Sequence, residues 1–394
     1  MELFYADASN GIKKEWGDIL ADLEQMKEYA PYCQESDFYL IFKHIIASLL
    51  LEREIILLDS DFSREETERL IGISMDADNS ISVASLVENI SSKEELLERL
   101  KRVGSSWKIT LFTSGTTGLP KKVSHSFKSI TRFVKRTAKH NTNIWGYAYN
   151  PTHMAGIQVF FQALLNGNPI IRLFGLPKDE VLQSISEFSI SNISATPTFY
   201  RLLLPANNQY LSVIRLTSGG EKFDEKTSAL LNQVFPNAKI TNVYASTEAG
   251  TLLAAKGNEF SIKDEFADLI KIENNELLIH RSLMGTSEAI NGEWYLTGDL
   301  VEIVSEHPVR FKFSSRKNEI INVGGYKVNP TEVEETIREI KGVADVRVFA
   351  KSNSVLGNII CCEVVRNNPA LDESNIRNQL QTKIQEFKIP RMVR

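Results

Sequence analysis

The hydrophobic positions of the chain fall into alternating helical and extended runs. Apolar residues across 36–51 cover most sides of a helix, which predicts a buried one, and residues 54–58 then read as a short strand closed by Asp59-Ser60-Asp61. Val181, Ile185 and Phe188 share a helical face ahead of an extended run over 192–196, which Pro197 stops. A third pair is a helix over 225–234, a turn at Phe235-Pro236-Asn237 and a strand over 239–244. Helices alternating with short strands predict a large layered α/β domain whose site is formed by loops at strand ends.

Near residue 314 the pattern changes. Asn329 is placed to cap a helix with Pro330 at its first position and Glu332 as in a capping box, and Val333, Ile337 and Ile340 make its apolar stripe. Strands over 345–351 and 358–366 follow, then a helix from Asp372 with Ile376, Leu380, Ile384 and Phe387 facing inward. The prediction is a small α+β domain of about 80 residues, a normal domain size. Lys383 and Lys388 read as solvent-exposed.

Composition narrows the function classes. With 394 residues and a formal net charge of -5, the chain can bury more than one core and does not suggest a nucleic-acid binder. Cys33, Cys361 and Cys362 form no disulfide framework and accompany no histidines at metal-ligand spacing, so a reducing, cytoplasmic setting is expected. The apolar run over 39–51 is short of the roughly 20 residues that a membrane span needs, and it contains Lys43 and His44. The first eight residues lack the basic start of a secretory signal. The expectation is a soluble protein with no membrane span.

The candidate chemistry centres on Thr113-Ser114-Gly115-Thr116-Thr117-Gly118-Leu119-Pro120-Lys121, which follows a predicted strand beginning near Trp107. Glycines let backbone N–H groups turn toward a phosphate, hydroxyls donate to its oxygens, and a lysine adds a point charge. The spacing is not that of a Walker loop, whose two glycines are separated by four residues and followed directly by Lys and Ser or Thr.

Thr113 to Lys121 resembles the signature loop of the adenylate-forming (AMP-binding) superfamily, which includes acyl-CoA synthetases, and further segments agree in order along the chain. Asn242-Val243-Tyr244-Ala245-Ser246-Thr247-Glu248 resembles the segment whose aromatic ring stacks on adenine, whose threonine meets the α-phosphate and whose glutamate helps to hold Mg²⁺. Ala245 stands where glycine is common. Ser218-Gly219-Gly220-Glu221 resembles the loop lying along the adenine and the acyl pocket. Trp294 to Leu300 contains Thr297-Gly298-Asp299, resembling the motif whose aspartate accepts from both ribose hydroxyls. A carboxylate suits a vicinal diol, because two oxygens can accept two hydrogen bonds. Ser315-Arg316-Lys317-Asn318 resembles the family hinge, with Arg316 at the ribose-contacting position and Asn318 at the pivot. Gly324-Gly325 matches the loop that approaches the thiol acceptor.

On the acyl side, Pro151-Thr152-His153-Met154-Ala155-Gly156 resembles the Pro-x-x-His-x-x-Gly stretch of acyl-CoA synthetases, with the proline one residue closer to the histidine. The resemblance places His153 near the substrate carboxylate. No Phe-Asp pair of the amino-acid-activating type is present, and a site for an α-amino group should show that carboxylate. His125, just after the phosphate loop, is read as structural.

The resemblance implies a large domain over 1–314 and a small mobile domain over 315–394. The N-terminal region is abbreviated relative to the family, and the small domain is apparently truncated, since no residue matches the lysine of the family's last motif. The expected function is ATP- and Mg²⁺-dependent activation of a small carboxylic acid to an acyl-adenylate. Transfer to CoA or to the phosphopantetheine of an acyl-carrier protein would follow. The alternative is a nucleotide- or acyl-adenylate-binding protein that has lost catalysis.

Overall fold

A computed structural model describes residues 2–72, 74, 80–83, 86, 90–113, 120–221, 223–288, 290, 292–306, 308–317, 319–323, 326–353, 357–381 and 383–394. The chain divides into two compact units. One comprises Met1–Phe199, Leu203–Gly257 and His280–Trp294, and the other Tyr200–Leu202, Asn258–Ile279 and Tyr295–Arg394. The boundary expected at residue 314 lies inside the second unit, within the strand Val309–Arg316.

The first unit contains an eight-stranded sheet. Its order is Gly250–Ala255, Lys239–Ser246, Arg215–Gly219, Asn192–Ala195, Trp145–Tyr147, Ile170–Arg172, Leu3–Asp7, Ile12–Glu15. All pairings are parallel except the two at the edges. A four-stranded sheet runs Tyr32–Cys33, Ile55–Leu57, Lys108–Thr113, Lys121–Ser126, parallel but for its last pair.

One core joins both sheets through the helix Phe38–Leu51. Asp37 caps that helix by accepting from Tyr39 N at 2.8 Å. Almost every side of it is apolar, and so almost every side is buried. Phe42 stacks on Phe160 with ring centroids 4.5 Å apart, and Trp107 Nε1 donates to Ser48 Oγ at 2.9 Å, so even the indole's polar atom is satisfied inside. Truncating Phe42 to alanine should cost about 3–5 kcal/mol. Pro197 does end the strand Asn192–Ala195, but it also opens the helix Pro197–Leu203, where a missing N–H costs nothing. Among the described residues no helix is long and apolar enough to cross a membrane, and Cys33, Cys361 and Cys362 are free and buried.

The second unit carries a five-stranded sheet in the order Phe260–Ser261, Val309–Arg316, Trp294–Glu306, Glu276–His280, Ile270–Glu273. Its C-terminal part is a long hairpin, Val343–Asn353 with Gly357–Arg366, which Met392–Val393 joins in parallel. The helices Pro330–Arg338 and Glu373–Gln381 put Val333, Ile337, Ile376 and Leu380 into a core shared with Ile340 and Cys362. Asn329 caps the first helix through Thr331 N at 3.0 Å.

Glu332 departs from its predicted reach back to the cap and instead pairs with Lys388 Nζ at 2.6 Å, leaving the lysine side chain only 17 % exposed. Lys383 pairs with Glu339 at 2.7 Å. Lys388, read as solvent-exposed, is thus partly buried against the Pro330–Arg338 helix, whereas Lys383 is exposed as read. Opposite charges 56 and 44 positions apart are invisible to a helical pattern.

Candidate nucleotide and acid site

In the first unit the predicted site segments emerge at the carboxyl ends of parallel strands. Lys108–Thr113 leads into the phosphate loop, Arg215–Gly219 into Gly220-Glu221, Lys239–Ser246 into Thr247-Glu248 and Trp145–Tyr147 into the His153 segment, while Ile55–Leu57 leads into Asp59, which the sequence reads only as a turn residue. Ligands of open α/β sheets bind in crevices at those ends. Thr113 lies opposite Lys121 in the ladder of the flanking hairpin, and Lys121 is exposed. Ser114, Gly115, Thr116, Thr117 and Gly118 lie outside the described residues, as do Asn318, Gly324 and Gly325.

The Asn242–Glu248 segment occupies the end of the last parallel strand and the turn after it. Asn242 is buried and donates through Nδ2 to Gly257 O at 3.1 Å. The ladder to Gly250–Ala255 shifts register between Tyr244 and Ala245, a bulge of the kind that re-aims side chains. Ser246 Oγ accepts from Ala249 N at 3.2 Å and tightens the turn.

Two contacts then fix the backbone of the turn. Gly285 N donates to Glu248 O at 2.6 Å, and His125 Nε2 donates to Thr247 O at 2.8 Å. A carbonyl can only accept, so Nε2 carries the proton, and Ser129 Oγ lies 3.1 Å from Nδ1. Burial holds His125 below the ordinary imidazole range against the opposing pull of the Thr247 carbonyl. His125 is thus structural, as read, and what it supports is the predicted metal and phosphate segment. Sequence reasoning missed that link, because 122 positions separate His125 from Thr247.

Gly219 runs beside the same strand. A Cβ there would stand 2.7 Å from Val243 Cγ2, so the close approach of the two strands requires glycine. Glu221 is engaged with the helix Pro197–Leu203, accepting from Thr198 N at 3.2 Å and Thr198 Oγ1 at 2.6 Å.

On the acid side, Asp59 gathers three donors. His153 Nε2 reaches Oδ2 at 3.0 Å, Asn150 Nδ2 reaches Oδ1 at 3.1 Å, and Thr152 Oγ1 bonds Oδ1 as well. Burial works to raise the Asp59 carboxyl, but the bonds from His153 and Thr152 prevail and hold it below the usual range. The bond to Asp59 correspondingly raises His153 against the effect of burial. Gly156 explains its own place in the motif. A Cβ there would fall on the Asn150 carbonyl oxygen and stand 2.6 Å from the Tyr147 hydroxyl oxygen. The loop that aims His153 can cross the helix only where a side chain is missing.

In the second unit Asp299 and Arg316 face each other across the hairpin, with Arg316 Nε 2.8 Å from Asp299 Oδ1. The pair is braced by a residue that sequence reasoning missed. Glu276, buried, accepts from Gly298 N at 2.9 Å and pairs with Lys317 Nζ at 3.0 Å. Thr297 Oγ1 donates to Leu277 O at 2.8 Å and accepts from Asp299 N at 3.0 Å. The turn before Asp299 is therefore held on both sides of Gly298.

Among the described residues no three His, Cys, Asp or Glu side chains could together hold a metal ion. Glu248 alone at a strand end fits a Mg²⁺ that arrives with a nucleotide, since Mg²⁺ is commonly held by one or two carboxylates together with phosphate and water oxygens.

Comparison with known proteins agrees with this layout. The family model described as AMP-binding enzyme matches residues 41–268, and the model of the AMP-binding enzyme C-terminal domain matches 332–394. The 2-succinylbenzoate–CoA ligase of Listeria monocytogenes serotype 4b (strain F2365) is 25% identical over 340 residues, covering 79% of this chain and 70% of that protein. The ligase of the same name from Bacillus subtilis (strain 168) is 22% identical over 429 residues, covering 97% and 84%. Among solved structures, the o-succinylbenzoate CoA synthetase of Bacillus subtilis with its acyl-adenylate intermediate superposes with a TM-score of 0.71 at 17% identity, covering 100% of this chain and 92% of that one. ATP-bound MatB from Rhodopseudomonas palustris gives 0.70 at 15% identity, covering 100% and 91%. These superpositions share the fold.

Proposed function

The chain belongs to the AMP-binding enzyme family, and from that premise we propose that it joins a small carboxylic acid to coenzyme A by way of an acyl-adenylate. A carboxylate oxygen attacks the α-phosphorus of ATP in line and pyrophosphate leaves. The CoA thiolate then attacks the acyl carbonyl, and AMP departs. The observation that carries this reading is the Thr247-Glu248 turn at the carboxyl end of a parallel strand, its two carbonyls anchored by His125 and Gly285 so that the backbone from which both side chains project is held in place.

In this assignment Thr113, Lys121 and the loop between them receive the phosphates, Tyr244 the adenine, and Asp299 and Arg316 the ribose. Glu248 holds Mg²⁺, which when bound offsets the charge of the phosphates. Lys121 and Thr247 lower the cost of bringing two anions together, the term that usually dominates such transfers. Among acids, 2-succinylbenzoate heads the panel to test, because ligases of that name align over most of the chain. Asp59 already holds three donors, so it is not available to a substrate ammonium.

The test is pyrophosphate release from ATP and Mg²⁺ across a panel of acids, followed by mass detection of the thioester with CoA or with a phosphopantetheinylated carrier protein. Release with an acid and a CoA thioester is the expected result. Nucleotide binding with no pyrophosphate from any acid would instead identify a binding protein.

A further inference from the structure

His153 caps the helix Met154–Leu164, but its ring makes no capping bond and turns to Asp59. The Nε2–H is committed to Asp59 Oδ2, while Nδ1 has no partner among the described residues and the side chain is 55% exposed. An imidazole anchored through one nitrogen to a carboxylate and open at the other presents a single oriented N–H to whatever enters.

Asp59 is itself immobilised by Asn150 and Thr152, so the ring is aimed by a fixed acceptor. The helix that His153 caps contains no charged residue, and the charges facing the ring are Asp59 and, farther off, Asp61 on the same turn. One turn along, Gln158 Oε1 accepts from Thr251 N at 3.1 Å and Thr251 Oγ1 at 2.9 Å. The helix therefore ties His153 to the hairpin that carries Thr247 and Glu248.

We propose that Asp59 is a positioning residue that keeps His153 an oriented cation, whose free Nδ1–H receives a carboxylate oxygen of the acid substrate. This deepens the function proposed above and rests on it. The bond to Asp59 keeps the imidazolium protonated to higher pH than a free histidine, so the acid is read to higher pH than a free histidine would allow and is released from recognition as the ring deprotonates. Loss of the Asp59 charge moves that limit downward.

The test compares wild type, Asp59→Asn and His153→Ala, with kcat/KM for the acid and KM for ATP measured from pH 6 to 9. In Asp59→Asn the alkaline limb for the acid should move to lower pH, so that the acid KM measured just below the wild-type limb rises several-fold as the protonated fraction falls. KM for ATP should stay constant, and His153→Ala should lose the limb. Coincident acid profiles in wild type and Asp59→Asn, or equal changes in acid and ATP KM, would overturn the proposal.

If no acid yields pyrophosphate, the function has failed and the pair is judged by NMR. The His153 ring resonance should titrate above a free histidine in wild type, fall in Asp59→Asn, and shift when a carboxylate such as 2-succinylbenzoate is added. A ring indifferent to Asp59→Asn or to the carboxylate sinks the idea.

Discussion

Arg316 meets Asp299 through a 2.8 Å bond in which the carboxylate is 9% exposed and the guanidinium side chain 59%. The pair stands at one register position of the hairpin, so backbone pairing alone brings the groups together. The acid is buried in the protein, while the arginine side chain is largely exposed. Replacing Asp299 with alanine should weaken ATP binding by about 1.5–3 kcal/mol, the usual loss for a charged hydrogen-bond partner. Calorimetry decides it, and unchanged affinity would remove Asp299 from the ribose site. Arg316→Ala should cost less, and the double mutant less than the sum, because the two residues share one bond.

Glu248→Gln keeps shape and removes charge, so activity should need more Mg²⁺ while metal-free nucleotide binds as before. His125→Ala leaves the Thr247 carbonyl without its buried donor and should cost about 1–3 kcal/mol of stability in denaturant melts. The same variant should also blunt the Mg²⁺ response. An unaltered Mg²⁺ titration would confine His125 to folding.

Gly156→Ala forces a Cβ against backbone at Asn150, where no flexible side chain can move aside. A destabilisation of about 1–3 kcal/mol is expected from overpacking. Since that loop also aims His153, KM for the acid should rise more than KM for ATP, and equal changes would uncouple the loop from the acid.

The Asp59–His153 pair gives stability a defined pH window. Asp59 is held below its ordinary 3.8, so its contribution is present above that value and lost as pH falls through the lower folded-state pKa. His153 is raised above its ordinary 6.5, so its contribution is full below that value and lost as pH rises through the folded-state pKa. The melting-temperature difference between wild type and Asp59→Asn should therefore be largest between about pH 4 and 6.5 and shrink toward pH 9. A difference that does not vary with pH would show that the pair carries no charge coupling.

Acids without an α-amino group should be preferred among carboxylates of equal size, because Asp59 is occupied and a buried ammonium without a carboxylate is costly. A proteinogenic amino acid releasing pyrophosphate fastest would contradict this.

Sequence alone determined the features that depend on neighbours in the chain. The helix Glu225–Val234 follows the predicted bounds, and Phe38–Leu51, Ile55–Leu57 and the two strands of the C-terminal hairpin fall within two residues of them or closer, because periodicity and turn chemistry act over a few residues. The motif segments were legible for the same reason, each being contiguous.

Tertiary structure decided which side chains these segments would meet. Asp59 lies 94 positions from His153, His125 lies 122 from Thr247, and Glu276 lies 41 from Lys317. Asp59 is a turn residue by composition, His125 a lone histidine on a strand, and Glu276 an acid in a short β run. Strand order and register alone set these partners. A hydrogen bond needs its atoms within about 3 Å, and no local pattern of hydrophobic and polar positions encodes which distant strand will supply the second atom.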